Sequence, residues 1–335
     1  MKKMGMYMQQ LKEWCSDASV FRQEVLDWIA KENLWNIWVP KAFGGREMAL
    51  TEGLEQLQSL ARIDGSLGWT VTLCSGANFF IGNLQPEVAK ELFAQAAIFG
   101  GSGGMFGSAE KEENKYRLNG TWRYATGAPY LTHFTLNAKI VENGVEQVSE
   151  DGSPKFLSFV IPASEVHIIN DWNTMGLKAS ATYSFEVKDV VVGEEYSFVY
   201  NQFHLPQPIF KTHFSVFADL TLWVNYAGMA EHFLVEAQVK DEAQLIELKS
   251  VIDAANQQVY AFAQQVENLT AQCNEFTEAF IQEVHQTASM SVKALSAAVI
   301  GLQPYLGVNA SRENAVLNQI FRDYFTATQH HIFTR

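Results

Sequence analysis

The sequence predicts an α+β multidomain chain, with an N-terminal helical domain over residues 1–95, a central antiparallel β sandwich or barrel over 96–205, and a C-terminal helical bundle over 206–335. Three observations predict it. Apolar residues before Gln95 recur at three- and four-residue steps, the stripe of amphipathic helices. Between Ala97 and Tyr200 the pattern changes to short β-type runs with no helical stretch between them, which implies strand-on-strand layering. After the proline-marked linker NQFHLPQPIF the helical period returns. The chain has 335 residues, 47% of them hydrophobic, with 8 Trp, 11 Tyr and 23 Phe, enough to bury a large core in two or three layered units.

The N-terminal elements come first. Leu11, Trp14, Phe21, Val25 and Trp28–Ile29 form one helical stripe, which VPKAFGG breaks through Pro40 and Gly44–Gly45. Leu54, Leu57 and Leu60 begin the next helix, with Thr51 as its candidate cap. Asp64–Gly65–Ser66 turns the chain, and the apolar stretch to Ile81 is helical again. KYRL-NG-TWRY reads as two short strands turning at Asn119–Gly120. HFTLNAKIV, KFLSFVIP, EVHII and TYSFEVKDVVV are further strands, and the acidic insertion Glu142 to Pro154 is a solvated hairpin loop. Leu245, Leu248, Ile252, Ala255, Val259, Phe262, Val266 and Leu269 then make a seam that packs on neighbouring helices. Phe214–Lys240, Phe276–Leu302 and Arg312–His330 supply three more helices.

Charge and composition exclude several functions. A net charge of −13 argues against nucleic acid or an anionic membrane as partner. Cys15, Cys74 and Cys273 are few and irregularly spaced, as in a reduced cytoplasmic protein. MKKMGMYMQQLKEW has no apolar stretch after its basic start, so no secretory signal is expected, and no run reaches the ~18 apolar residues of a spanning helix. No H-E-x-x-H, paired C-x-x-C or EF-hand spacing occurs, and adjacent His330 and His331 diverge by ~100° on a helix. No metal site is expected.

The stretch FGGSGG, Phe99 to Gly104, contains the letters G-x-S-x-G. A nucleophile elbow needs a helix directly after the serine, whereas the residues beyond Gly104 read MFGSAEKEENKYRLNG, a charged loop into a hairpin. A dinucleotide fingerprint from Gly101 would need glycine at Phe106 and the same missing helix. The glycines are better read as letting backbone come close to something flat or bulky.

Several motifs in order resemble the acyl-CoA dehydrogenase superfamily over nearly the whole chain. LWNIWVPKAFGG and ARIDGSLGW resemble its N-terminal segments, KYRLNGTWRYATGA its central hairpin, DWNTMGLKASATYSFEVKDVVV a strand pair, and FRDYFTATQH its last helix. The resemblance implies an acyl-CoA dehydrogenase-like fold and a flavin, FAD or FMN, between the β unit and the helices. Carried over, Tyr124 and Thr126 meet the isoalloxazine ring, where an aromatic side chain walls the flavin and a hydroxyl hydrogen-bonds N5. Strand alternation would put Trp122 on the same face, and Trp172, Ser180 and Thr182 are further flavin or substrate contacts. The FGGSGG loop would lie near the flavin edge.

Within the superfamily a dehydrogenase needs a carboxylate base for the α-proton. The position that carries it in one large branch falls here at His330 and His331, and Glu231 is one position off the other branch's glutamate. The Q-x-x-G-G segment that helps bind the dinucleotide end of FAD is not recognisable. FRDYFTATQH instead matches the R-D-x-x-T-A-x-x-H ending of flavin-dependent two-component monooxygenases, with His330 as the active-site histidine, able to take a proton near neutral pH. The histidine that some of these carry after the hairpin aligns with Tyr130, and His133 lies three residues on. The expected function is therefore a reduced-flavin monooxygenase acting on a small organic substrate, served by a separate flavin reductase and assembled as a homo-oligomer, dimer or tetramer. The alternatives are an FAD-dependent acyl-CoA dehydrogenase and a flavin-free scaffold that binds a partner or ligand.

Overall fold

The computed structural model describes residues 2–239, 242–330 and 333; His331 lies outside them. Helices come first: α1 (Lys2–Cys15), α2 (Gln23–Lys31), α3 (Leu50–Ala61), α4 (Gly65–Asn78) and α5 (Pro86–Phe93). The strands are β1 (Phe99–Glu112), β2 (Lys115–Ala125), β3 (His133–Glu142), β4 (Val145–Glu146), β5 (Phe156–Pro162), β6 (His167–Ile169), β7 (Tyr183–Gly193) and β8 (Ser197–Phe198). Helices return as α6 (Phe214–Glu236), α7 (Ile246–Ala271), α8 (Glu278–Leu302) and α9 (Val316–Ala327).

The single N-terminal stripe is two helices, not one. Asp17 takes a left-handed φ of 50°, and the chain turns before α2 begins. Leu11, Phe21, Val25 and Ile29 are all buried, so the turn returns the stripe to the same core. Asp64 caps α4 through Leu67 N at 2.9 Å. Helices α4 and α6 are buried on almost every side, as their continuous apolar sequences require. Helix α6 packs against α3, α4, α7, α8 and α9, and the α7 seam from Leu248 to Val266 is buried within this bundle.

Thr51 does not cap α3, which starts one residue earlier at Leu50. Its backbone N–H is instead taken by Glu267 Oε1 of α7 at 2.8 Å. A carboxylate from another helix thus satisfies an orphan donor and complements the positive helix end. Glu267→Ala should cost about 1 kcal/mol, read as a lower urea midpoint with unchanged slope.

Among the described residues, eight strands form one sheet in the order β6-β7-β2-β1-β3-β5-β8, with β4 beside β3. The sheet is mixed rather than antiparallel throughout, because β1 and β3 run parallel. The hairpin also turns elsewhere. Strand β1 runs on to Glu112, the turn falls at Glu113–Asn114, and Asn119–Gly120 lies inside β2. Between Leu118 and Gly120, β7 holds one residue more than β2, and Asp189 there has φ 52°. Asn119 serves this bulge: its Oδ1 accepts from Asp189 N at 2.9 Å. The strongest turn dipeptide in the chain is thus used against a bulge in the neighbouring strand.

FGGSGG is strand as well, not loop. Phe99 to Ser102 pair with His133 to Leu136 of β3, and the register then slips before Gly107. The glycine requirement is real but faces protein: a Cβ on Gly101 would fall 1.7 Å from Thr135 O. The close approach is between strands.

Candidate active site

The candidate residues do not share one face. Between Trp122 and Ala125, β2 holds one residue more than β7, since Trp122 pairs with Phe185 and Ala125 with Tyr183. The extra residue breaks the alternation. Trp122 turns inward, fully buried, stacks on Phe185 at 5.6 Å and donates Nε1 to Asn137 O at 2.8 Å. The structure therefore removes Trp122 from the candidate surface. Tyr124 points out, 45% exposed, and meets Trp172 edge to face at 5.6 Å. Ser102 Oγ donates to Arg123 O at 2.7 Å, so the serine of FGGSGG braces the bulge that aims Tyr124.

Behind this aromatic pair lies a chain of buried hydroxyls. Thr126 Oγ1 is 3.1 Å from Thr182 Oγ1, which is 2.7 Å from Ser180 Oγ. Ser180 Oγ donates to Leu177 O at 2.7 Å, and the same carbonyl accepts Trp172 Nε1 at 2.9 Å. The chain folds this tightly because Leu177 and Ala181 take left-handed φ of 51° and 43°. Such backbone in residues other than glycine persists only when its surroundings hold it.

The holder is the last helix. Asp323 Oδ1 of α9 accepts Leu177 N at 2.6 Å, and Arg322 donates Nη1 to Met175 O at 2.9 Å. Asp323 is buried beside Asp64, whose Oδ2 accepts from Gln319 Nε2 at 2.9 Å. Burial, then the Asp64 charge, push Asp323 up to about 8; burial pushes Asp64 up to about 6. Sequence reasoning used Arg322–Asp323 as motif letters and Asp64 as a turn residue, and missed this junction. Their shared buried position arises from three distant segments.

Helix α4 touches both candidate groups. Cys74 Sγ lies 3.6 Å from Thr126 O, while the Trp69 ring meets His330 edge to face at 5.7 Å. Trp69 also packs on Tyr226, whose hydroxyl donates to Ala327 O at 2.7 Å and fixes the end of α9. Tyr130 is structural: its hydroxyl accepts Phe21 N at 2.7 Å and donates to Ala179 O at 3.1 Å. His133 stacks edge-on to Phe99 and burial lowers its pKa. Glu231 is tied down, accepting from Gln58 and Asn256 at 2.9 and 2.7 Å and pairing with Arg62 at 3.1 Å. A concavity of about 470 Å³ lies by the end of α8, lined by Ile300, Pro304, Val308 and Phe321 among others, and none of the candidate residues lines it. No described helix is long and apolar enough to cross a membrane.

Residues 225–335 match the family model for the acyl-CoA dehydrogenase C-terminal domain. XiaF from Streptomyces sp., solved in complex with FADH2 and glycerol, superposes with a TM-score of 0.88 at 19% identity, covering 99% of this chain and 90% of that one. The fold is acyl-CoA dehydrogenase-like. The 3-HSA hydroxylase from Rhodococcus sp. RHA1 shares this fold with a TM-score of 0.90 at 17% identity, over 99% and 92% of the two chains. In sequence, an indole-3-acetate monooxygenase of Acinetobacter baumannii is 28% identical over 220 residues, 64% of this chain and 54% of that protein. The chain spans about half the length of the curated relatives it matches.

Proposed function

We propose that the chain is the oxygenase component of a two-component flavin-dependent monooxygenase. It takes reduced FAD or FMN from a separate reductase and hydroxylates a small organic molecule, aromatic as in the indole-3-acetate relative. The observation that carries this reading is the pair of exposed Tyr124 and half-buried Trp172 set against the Thr126–Thr182–Ser180 hydroxyls, on a fold shared with a reduced-flavin complex over 99% of this chain. The residues fit the group: two aromatic faces suit a flat heterocycle, and a hydroxyl beside them suits its ring nitrogens. When bound, the reduced flavin supplies the two electrons with which one oxygen atom enters the substrate and the other leaves as water.

The chain's own residues do the rest. Tyr124 and Trp172 wall the ring, Thr126 hydrogen-bonds it, and Ser180 and Thr182 stand behind Thr126. His330, its ring packed edge-on against Trp69 of α4, takes or returns a proton. Glu231 is unavailable as a dehydrogenase base, because its oxygens serve Gln58, Asn256 and Arg62. In this reading the protein is cytoplasmic and a dimer or tetramer, with the three-part division at residues 95 and 205.

A flavin titration tests the proposal, following the visible spectrum with oxidised and anaerobically reduced FAD and FMN. Reduced flavin should bind, and Thr126→Val should weaken it about tenfold, the worth of one hydrogen bond. Failure to bind flavin in either state sinks the proposal. Bleaching of bound FAD by acyl-CoAs would move the chain to the dehydrogenases.

A further inference from the structure

We infer that the buried hydroxyls Ser180 and Thr182 form a one-way hydrogen-bond chain that presents Thr126 Oγ1 as an acceptor, and so make the site select reduced over oxidised flavin. The inference rests on the reading that flavin sits at Thr126.

Proton counting gives the direction. A hydroxyl has one proton to donate and two lone pairs. A carbonyl can only accept, so Ser180 spends its proton on Leu177 O at 2.7 Å. At 2.7 Å from Thr182 Oγ1, Ser180 Oγ must then accept, and Thr182 is the donor. Having given its proton to Ser180, Thr182 accepts from Thr126 across 3.1 Å. The proton of Thr126 therefore points into the protein, and a lone pair is what remains for a ligand. Reduced isoalloxazine carries a proton at N5 and can donate to that lone pair. Oxidised isoalloxazine has a lone pair at N5, which would face another.

The chain is held at both ends, so it does not simply turn around. Leu177 N donates to Asp323, and Leu177 O is shared with Trp172 Nε1. Gly127 N donates to Ser180 O at 2.8 Å, tying the residue after Thr126 to the same strand connection. Ser180 is fully buried, Thr126 is 6% exposed and Thr182 7%, which leaves water little room to substitute for a link. Ser180 and Thr182 are thus positioning residues rather than the direct ligand contacts that sequence reasoning expected.

Removing Ser180 Oγ tests the direction directly. In Ser180→Ala, Leu177 O keeps Trp172 Nε1, so no carbonyl is orphaned, and Thr182 loses its acceptor. Thr182 can then donate to Thr126, which frees the Thr126 proton for oxidised N5. Dissociation constants for FMN and FAD are measured by protein fluorescence in oxidised and anaerobic, chemically reduced forms, on the full chain. Wild-type protein should bind the reduced form more tightly, and Ser180→Ala should reduce that preference about tenfold. The midpoint potential of the bound flavin should fall by about 30 mV, the two-electron equivalent of a factor of ten. Thr182→Ser, which keeps a hydroxyl, should leave the preference intact. If near-ultraviolet circular dichroism shows Ser180→Ala to be misfolded, Thr182→Val cuts the same chain at its middle and should give the same loss. Wild-type binding with an unchanged ratio in these variants overturns the inference and leaves the flavin reading standing. No binding by wild-type protein in either redox state overturns both.

Discussion

Gly176→Ala is expected to destabilise the protein by about 3 kcal/mol, at the upper end of overpacking costs, and to abolish flavin binding with it. A Cβ there would fall 2.2 Å from the carbonyl carbon and oxygen of Arg322 and 2.4 Å from Asp323 N. All three are backbone atoms of α9, so no side chain can rotate to make room. Either the helix or the segment 175–177 must shift, and the 2.6 Å bond from Leu177 N to Asp323 is lost. That bond holds Leu177, whose own carbonyl receives Trp172 and Ser180, so the damage passes to the hydroxyl chain. Gly301→Ala is the matched control. Gly301 lies in α8 with nothing within 4 Å of its would-be Cβ, and alanine there should be neutral or stabilising by about 0.5–1 kcal/mol. Urea melts and flavin titration of both variants decide it. A Gly176→Ala protein as stable as wild type, with intact flavin binding, would mean that α9 and the 175–177 segment are not locked together.

The helices were legible because each carries its own period. The seam from Leu248 to Val266 is buried as its spacing demands, and the Asp64 turn became a capped helix start. What misled was local chemistry with two uses. Asn119–Gly120 is the preferred pair for a tight turn, yet here Asn119 feeds a bulge on β7. Nothing near it in sequence says which, because the bulge residue Asp189 is seventy positions away. The parallel pairing of β1 with β3 is likewise invisible, since a strand carries no mark of its neighbour's direction. Of the candidate site residues that motif order proposed, the structure brings Tyr124 together with Trp172, and Thr126, Thr182 and Ser180 into one hydroxyl chain that shares the Leu177 carbonyl with Trp172. Alternation then failed at Trp122, because an inserted residue between Trp122 and Ala125 reverses the faces. Ser102 shows the same limit: its role is a bond to a carbonyl on another strand, which no spacing rule contains.

Stability should fall as pH rises through neutrality, and Asp323→Asn should remove most of that fall. Asp64 and Asp323 both titrate higher in the folded protein than in the unfolded chain, at about 6 and about 8. Folding therefore retains protons that the unfolded chain has already released above the ordinary aspartate range near 4. The stability associated with those protons is fully present at acid pH and is lost as pH climbs through 6 and then 8. For Asp323 alone the loss between pH 6 and pH 8 is on the order of 2 kcal/mol, since a tenfold change in proton affinity is worth about 1.4 kcal/mol. His232 opposes this on the acid side. Burial lowers it to about 4, so the unfolded chain gains a proton below the usual histidine range that the folded protein refuses. One histidine offsets only one of the two aspartates, so the net slope between about pH 4 and 6 is still downward. Asparagine at 323 keeps an oxygen for Leu177 N and carries no charge to repel Asp64. The variant should therefore gain on wild type steadily as pH rises from 6 to 8.5, with a flatter profile between. Urea unfolding across that range measures both slopes, and parallel slopes would show that Asp323 is already ionised in the fold. Arg322 beside it would then be the dominant neighbour, and Asp64 the minor one.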